Sequence, residues 1–296
     1  MEEIEETPQS SRRAIKKMEV MVAEVIRQTH DSVTIVFFTG NDRLDYRAGH
    51  FLTIDPHQFE SLERFIAFFE DIKGRREPAR AYSMSSAPHE NLLAVTVKEE
   101  RYATGVTKYP PLLSPVLVRA TPPGMRMVVT GFSGPYVLPE DIESKTDHLV
   151  HLCAGSGSVP NLSILKSALH QHPGLRHTFI DSNKTWADVI FRNDLAELER
   201  HHPDRLRVVH TLTRETDPPQ GERVRSGRVS AELLREWIPD PASCWVYACG
   251  PAISPFDRAA ARESGNPPEP RFMESALALL AEIGVSQKQI TRESYG

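Results

Sequence analysis

Cysteine is scarce in this 296-residue chain, which contains only Cys153, Cys244 and Cys249. No two of them form a CxxC pair, and their spacing matches neither an iron–sulfur ligand set nor a structural zinc site. The twelve histidines are scattered and form no ligand cluster either. We therefore expect no metal site in this chain, and any iron–sulfur centre to lie in another protein.

Long apolar runs are absent as well. No run approaches the roughly 18 residues that a membrane-spanning helix needs. The opening MEEIEETPQSSRRAIKK also lacks the hydrophobic core of a secretory signal. A cytoplasmic protein without a membrane span is expected. Residues 1–17 show no apolar period, which predicts a disordered tail, with a short docking segment as the alternative.

An excess of positive charge is missing too. The formal net charge of -5 gives no general basic field for phosphate backbones, so nucleic acid is not expected as the main partner. The content of 40% hydrophobic and 25% charged residues is ordinary for a globular protein. A chain of this length fits two domains of about 100–200 residues each.

Two different hydrophobic patterns divide the chain. Residues 18–143 contain closely spaced β-branched and aromatic runs, which predict an antiparallel β-barrel. Residues 146–296 contain apolar strands that alternate with helical stretches, which predicts an α/β domain with a parallel sheet covered on both faces. The runs of the first half are VMVAEVI, VTIVFF, HFLTI, LLAVTVK and MRMVVTG, and those of the second are HLVHLCAG, RHTFID, LRVVHTL and CWVYACG.

Two insertions interrupt this scheme. In residues 57–78, five apolar side chains fall at helical spacing and predict a helix with one apolar face. That face either packs on the barrel or docks a partner. The second insertion, residues 254–270, follows the last core strand, and its proline-rich end predicts a surface loop. The five apolar residues of the first insertion are Phe59, Leu62, Phe65, Ile66 and Phe69.

A glycine-rich turn lies between a strand and a helix in CAGSGSVPNLSILKSAL. Gly155, Gly157 and Pro160 there suit a phosphate cradle, because glycines admit a diphosphate to the backbone and the helix N-terminus favours its charge. The spacing is GxGxxP, which differs from the common GxGxxG dinucleotide pattern, and a glycine-rich turn alone is a weak indicator.

Two further segments carry candidate site residues. VYACGP places Cys249 at a strand end, where ligands bind in open α/β sheets, although a free cysteine is more often a small buried hydrophobe. RAYSMSSAP contains Arg80, Tyr82 and Ser83, which can supply a phosphate clamp, a stacking face and a hydrogen bond to one flat anionic ligand. The alternative is that these three residues are ordinary positions of an exposed strand.

Seven short segments of the sequence resemble the signature blocks of the ferredoxin–NADP reductase superfamily, and they follow one another in the same order as those blocks. The resemblance covers residues 18–296 and is closest to the reductase modules that feed bacterial oxygenases. It implies a Greek-key FAD-binding barrel followed by an NAD(P)H-binding α/β domain. The segments are RAYSMSSAP, GVT, GPYVLP, AGSGSVP, SNKTWADVIFRNDLAEL, YACGP and ESYG.

The resemblance also implies an activity. Hydride passes from NADPH or NADH to FAD, and the electrons leave singly for a separate acceptor such as a ferredoxin, a flavodoxin or an oxygenase component. The alternatives are a non-enzymatic relay or regulatory subunit of a larger complex and a reductase of free flavin. Many oxygenase reductases carry a fused plant-type ferredoxin, which this sequence lacks, so the resemblance leaves the acceptor unassigned.

Site residues follow from the same resemblance. Arg80 is implied to hold the FAD diphosphate, Tyr82 to lie against the flavin and Ser83 to bond near flavin N5. Cys249 is implied to sit beside the reactive nicotinamide carbon, and Tyr295 to cover the flavin until nicotinamide displaces it. Further implied residues are Met84, Ser85, Gly105, Val106 and Thr107 for FAD, Gly155, Ser156, Gly157, Pro160, Gly250 and Pro251 for the nucleotide, and Glu293 as the C-terminal acidic position.

The choice between the two nucleotides depends on residues after two strands. Ser182, Lys184 and Arg214 supply hydroxyl and cationic groups that suit the 2′-phosphate of NADPH. Asp181 favours NADH instead, because a carboxylate at such a strand end bonds the ribose 2′-hydroxyl and repels a phosphate. We expect NADPH, with NADH as the alternative.

Overall fold

Two six-stranded sheets make up the molecule, one antiparallel and one parallel. The computed structural model describes residues 16–40, 45–102, 104, 107, 109–221 and 223–295. Gly105, Val106 and most of the expected tail lie outside these residues. The predicted fold class, a β-barrel followed by a parallel α/β domain, is confirmed. No helix in the described part of the chain has both the length and the apolar character to cross a bilayer.

The first sheet is the barrel. Its strands are β1 (Lys16–Thr29), β2 (Ser32–Phe38), β3 (Phe51–Ile54), β4 (Arg80–Ser83), β5 (Leu93–Lys98) and β6 (Arg126–Ser133). They lie in the order β4-β3-β6-β1-β2-β5. An antiparallel bridge between Met84 and Val95 joins the two edges, which closes the sheet. Strand β1 begins two residues before the predicted end of the tail, so Lys16 and Lys17 belong to the sheet.

The core of the barrel follows from alternation along its strands. Met18, Val20 and Val22 of β1 are buried and alternate with exposed or half-buried neighbours, as do Met127 and Val129 of β6. Successive side chains of a strand point to opposite faces, so these residues share the interior. The barrel also carries a short helix, α2 (Ser114–Arg119), after helix α1 of the insertion (Glu63–Lys73).

The insertion packs on the barrel with part of the predicted face. Phe59, Leu62, Ile66 and Phe69 are buried in the barrel core, whereas Phe65 is 59% exposed. The prediction of one face containing all five is therefore wrong for Phe65. The reason is that successive helix residues are about 100° apart, so Phe65 lies at the edge of the buried stripe that runs through Leu62, Ile66 and Phe69.

The second sheet contains β7 (His148–Ala154), β8 (Arg176–Asn183), β9 (Leu206–Leu212), β10 (Val224–Ser226), β11 (Trp245–Pro251) and β12 (Ile290–Tyr295). All neighbours are parallel, in the order β10-β9-β8-β7-β11-β12. The helices are α3 (Ile142–Lys145), α4 (Ser158–Gln171), α5 (Arg192–His201), α6 (Ala231–Trp237), α7 (Pro255–Ser264) and α8 (Phe272–Glu282). Helix α3 connects the barrel to β7.

Both faces of the parallel sheet are covered, as its apolar strands require. Every residue of the central strand β7 is buried. Helices α4 and α5 cover one face and α6 and α8 the other. The sequence suggested that β11 is the last core strand. This prediction is wrong, because the C-terminal segment ITRESY pairs with β11 as β12.

Two buried histidines of β7 make stability depend on pH. Burial lowers the pKa of His148 and of His151 to about 4, whereas the ordinary histidine value is about 6.5. Below about pH 6.5 these histidines therefore bind protons in the unfolded chain but not in the native state. Native stability is full above this pH and falls as the pH drops toward 4, by about 2 kcal/mol per histidine between pH 7.5 and 5.

Urea unfolding at pH 7.5 and pH 5 tests this expectation. His151→Gln should reduce the pH dependence of the unfolding free energy, and His201→Gln, at the exposed end of α5, should leave it as in the wild type. An identical pH dependence in wild type and His151→Gln would contradict the assignment.

Candidate functional site

The two domains meet where β4 faces the C-terminal strand. Ser83 ends β4, and Tyr295 ends β12. The Ser83 Oγ and the Tyr295 hydroxyl are 2.6 Å apart, and the Tyr295 hydroxyl donates to Glu293 Oε2 at 3.2 Å. Glu293 lies beside Cys249 in the β11–β12 register. The structure thus brings together all four predicted catalytic residues.

Burial sets the protonation states at this junction. The Cys249 side chain is completely buried, and burial raises the pKa of its thiol, with the nearby Glu293 acting in the same direction and Tyr295 against it. Burial also raises the pKa of Glu293, against a hydrogen bond from Tyr295. The thiolate is the nucleophilic form of cysteine, so a neutral Cys249 suits packing against a ligand and does not suit covalent chemistry.

Strand β4 presents the side chains implied to hold FAD. Tyr82 is half-buried and packs in part against the barrel core. Met84 and Ser85, which follow the strand, are buried, and Ser85 Oγ has no hydrogen-bond partner among the described residues. A cation, an aromatic ring and an unused hydroxyl in one segment fit a flavin nucleotide. Thr107 is described by the structure, whereas its two neighbours in the implied FAD turn are not.

Arg80 has a carboxylate partner from the insertion. Its guanidinium lies 2.7 Å from Glu77 Oε2, and Lys73 of α1 bonds the other carboxylate oxygen. Burial opposes ionisation of Glu77, but these two cations outweigh it and lower its pKa. The insertion therefore orients the arginine that the resemblance assigns to the FAD diphosphate.

The glycine-rich turn has two glycines with different roles. Gly155 follows β7 with a φ of 54°, and a Cβ placed there would meet open space. At Gly157 a Cβ would lie 2.1 Å from the backbone oxygen of Cys249. Gly157 is therefore required by close contact between the turn and β11, whereas Gly155 leaves room beside the backbone for a ligand. Pro160 is buried in the first turn of α4.

Alanine substitutions separate these two roles. Gly157→Ala should lower the unfolding free energy by about 3 kcal/mol, because the new methyl overlaps a backbone carbonyl in a packed region. Gly155→Ala should cost only about 1 kcal/mol, since the strain there is conformational. Urea unfolding of both variants measures the difference. Equal losses, or a larger loss for Gly155→Ala, would contradict this distinction.

A cleft of about 1540 Å³ opens above the carboxyl edge of the parallel sheet. Helices α7 and α8 form part of its wall. Gly250 lies behind it, where a Cβ would come within 2.5 Å of the Phe272 ring. The implied nucleotide residues that line the cleft are Gly155, Ser156, Ser182, Lys184, Arg214 and Pro251.

Known proteins share this arrangement. Residues 152–256 match the family of the oxidoreductase NAD-binding domain. The chain is 38% identical over 202 residues to the ferredoxin reductase component of 3-ketosteroid-9-alpha-monooxygenase from Mycolicibacterium smegmatis, covering 66% of this chain and 50% of that one. The same component from Mycobacterium tuberculosis is 34% identical over 253 residues, covering 82% and 60%.

The fold has solved counterparts as well. The flavohem-like FAD/NAD-binding domain of nitric oxide dioxygenase from Vibrio cholerae superposes with a TM-score of 0.68 at 19% identity, covering 94% of this chain and 98% of that one. The chain belongs to the ferredoxin–NADP reductase superfamily. It spans 50% and 60% of the length of the two mycobacterial relatives.

Within this superfamily fold, the structure corrects the argument for NADH. Strand β8 continues to Asn183, so Asp181 is not at the strand end. Its side chain is fully buried, accepts a 2.8 Å hydrogen bond from Asn183 Nδ2 and lies 3.6 Å from His210 Nδ1. The Asp181 carboxylate therefore does not reach a ribose in the cleft.

Two residues at the candidate site were missed from the sequence. Glu77 pairs with Arg80 across a loop, and Arg228 lines the cleft after β10. Strand β10 has only three residues, VRS, which is too short to give a periodic signal. Gly227, with a φ of 100°, forms the turn between β10 and Arg228.

Proposed function

We propose that the protein is an NAD(P)H-dependent FAD reductase of the cytoplasm that passes electrons singly to a separate acceptor protein. The contact that carries this proposal is the hydrogen-bonded chain from Ser83 through Tyr295 to Glu293, because it joins the barrel to the nucleotide domain beside Cys249. Bound FAD would accept a hydride from the nicotinamide and release the two electrons one at a time.

The residues of this chain contribute binding and orientation. Tyr82 and Ser83 lie on one strand and offer a ring face and a hydroxyl to a flavin. Cys249, buried and protonated, supplies a packing surface at the end of β11. Tyr295 bonds Ser83 across the domain junction, so its displacement would open that junction to the nicotinamide. Holding two rings in contact geometry is the main requirement for hydride transfer.

NADPH is the proposed nucleotide. Lys184 and Arg214 both line the cleft, and the backbone N–H of Arg214 donates to the Lys184 oxygen at 2.8 Å, which places the two residues side by side. The burial of Asp181 removes the carboxylate that would favour NADH. NADH stays the alternative, since it differs from NADPH only in lacking the 2′-phosphate and its remaining groups would fit the same cleft.

The acceptor is proposed to be a ferredoxin, a flavodoxin or an oxygenase component. The two mycobacterial relatives are described as ferredoxin reductase components, which supports a protein acceptor. A relay subunit that does not use nucleotide is the rival, and the open cleft at the glycine-rich turn argues against it. A reductase of free flavin differs from the proposal only at the acceptor end.

An anaerobic titration tests the proposal. The purified protein should carry FAD, identified by mass after release, and its flavin absorbance should bleach on addition of one equivalent of NADPH. NADH should bleach it more slowly. A passive relay subunit would keep its absorbance with both nucleotides, and release of FMN would contradict the cofactor.

A further inference from the structure

Helix α1 of the first insertion leaves three large apolar side chains exposed. Phe65, Phe68 and Ile72 are 59%, 59% and 51% exposed. They follow one another along α1 at spacings of three and four residues, so they form one continuous stripe on the helix surface. A contiguous apolar stripe of this kind is typical of a surface that another molecule covers. These three residues are called the outer patch below.

The barrel covers only part of the apolar side of α1. Ile66 and Phe69 of the helix are buried in the barrel core. With about 100° between successive residues, the outer patch lies directly beside these two, and the whole apolar arc spans about 160° of the helix. A helix that packs on one neighbour needs an arc of about 100°. The arc that remains after packing on the barrel therefore suits a second neighbour.

Two opposite charges border the outer patch along one edge. Arg64 and Asp71 are both exposed, and they lie two helical turns apart, about 10 Å along the axis. Neither forms an ion pair with any residue that the structure describes, whereas Arg76 of the same insertion is paired with Asp55. Glu63, which is also exposed, lies on the opposite side of the helix from the patch. The patch thus has one free cation and one free anion at the same edge.

This arrangement is symmetric about Phe68. Arg64 and Ile72 each lie four residues from Phe68, and Phe65 and Asp71 each lie three residues from it. In two copies of α1 that pack antiparallel about a twofold axis at Phe68, Phe65 of one copy faces Ile72 of the other. The axis reverses the direction of the helix and keeps its edges, so Arg64 of one copy faces Asp71 of the other. Each contact occurs twice, because an isologous interface uses the same surface of both copies.

We propose that the outer patch is the contact surface of a homodimer, in which α1 packs antiparallel against α1 of a second copy of this chain. The charge pattern carries the choice of this occupant, since the edge of the patch is complementary to itself. None of the residues of the interface lines the cleft, so the dimer is independent of the proposed function.

The size of the patch sets the expected affinity. A phenylalanine side chain offers about 200 Å², so three side chains that are about half exposed bury roughly 350 Å² per copy. A stable interface buries about 800 Å² per partner. The dimer is therefore weak, with a dissociation constant on the order of 10–100 μM.

Sedimentation velocity of the FAD-loaded protein between about 1 and 200 μM tests the dimer. The wild type should shift from monomer toward dimer over this range. Phe68→Ser should weaken association at least about 10-fold, because this residue packs against itself at the axis and is lost from both copies. Phe68 is exposed, so the substitution should leave the fold intact. Phe256→Ser is the control, since Phe256 is 60% exposed on α7 and lies outside the patch, and it should match the wild type.

Charge reversal tests the antiparallel pairing. Arg64→Asp and Asp71→Arg each turn two attractive pairs into two repulsive ones, so each variant alone should associate at least about 10-fold more weakly. In an equimolar mixture of the two variants both pairs are complementary again, and a heterodimer should form with about the wild-type affinity. The double variant should dimerise as well. Arg200→Asp, at an exposed arginine of α5, should behave as the wild type.

Three results would overturn the homodimer. These are a wild type that stays monomeric at about 200 μM, a Phe68→Ser variant that associates like the wild type, and a mixture of the two charge variants that stays monomeric. A protein acceptor is the other candidate for this surface, with cytochrome c as its probe. A monomeric wild type whose cytochrome c reduction falls in Phe68→Ser but not in Phe256→Ser would assign the patch to an acceptor and contradict the homodimer.

Discussion

Replacing Cys249 with serine should lower the rate of flavin reduction by NADPH about 100-fold while FAD stays bound. The thiol is fully buried at the end of β11, next to Glu293 and within hydrogen-bond reach of Tyr295. Serine is smaller and more polar, so it would pack less well against a nicotinamide ring and would attract Tyr295 and Glu293. A displacement of about 1 Å between reacting groups is enough for a loss of this size. Anaerobic stopped-flow absorbance measures the rate.

Cys244→Ser is the matched control. Cys244 is also buried, and it lies immediately before β11, at the opposite end of the strand from the cleft. Its substitution should therefore leave the reduction rate unchanged. Full activity of Cys249→Ser, or equal losses in the two variants, would show that Cys249 has only a structural role.

Replacing Arg80 with alanine should raise the dissociation constant of FAD by about 10- to 100-fold, which corresponds to the loss of about 1.5–3 kcal/mol from hydrogen bonds to a charged group. The Arg80 guanidinium is oriented by Glu77 at the edge of the barrel, where it would contact a diphosphate. Fluorescence of the flavin released from the protein at equilibrium measures the affinity.

Arg76→Ala serves as the comparison. Arg76 is an exposed arginine of the same insertion, 3.0 Å from Asp55, and its loss should leave FAD affinity within about twofold. Thermal unfolding of the apoproteins separates binding from folding, because Arg80→Ala also deprives Glu77 of a partner. An Arg80→Ala variant with wild-type FAD affinity would contradict the assignment of this residue to the diphosphate.

Long periodic runs were enough to predict the architecture. The nine apolar runs of the sequence all form strands, because alternation in the barrel and continuous apolar character in the parallel sheet reflect burial directly. Strand β4 was considered only as the alternative interpretation of RAYSMSSAP, and strands β10 and β12 were missed. Strand β10 has three residues, and β12, ITRESY, is a polar segment at the sheet edge, so neither shows a hydrophobic period.

The site was accessible to sequence only in part. Single segments such as RAYSMSSAP indicated which residue types were present, but the contact between Ser83 and Tyr295 joins positions 212 residues apart. For Asp181 the sequence suggested a site residue that the structure does not place at the site. Its identity suggested a ribose ligand, whereas an extension of β8 by two residues and a bond from Asn183 place it in the interior. Tertiary packing determines both outcomes, and no local pattern encodes it.

The pairing of charges is equally invisible in the sequence. Arg228 differs from Arg225 because Arg225 meets Glu236 and Arg228 meets no carboxylate of the described chain. Both are arginines of the short segment VRSGRV, so residue type alone does not distinguish them. Arg225 lies on β10 and reaches Glu236 of α6, whereas Arg228 follows the strand and lines the cleft, and only the structure supplies that information.

The most direct test of the central claim is the electron balance of anaerobic turnover with ferricyanide, a one-electron acceptor, when NADPH is limiting. The account predicts that each NADPH oxidised reduces two ferricyanide ions, with FAD bound throughout and no requirement for added free flavin. NADPH oxidation that depends on added free flavin, or a flavin that NADPH bleaches but that ferricyanide does not reoxidise, would contradict it.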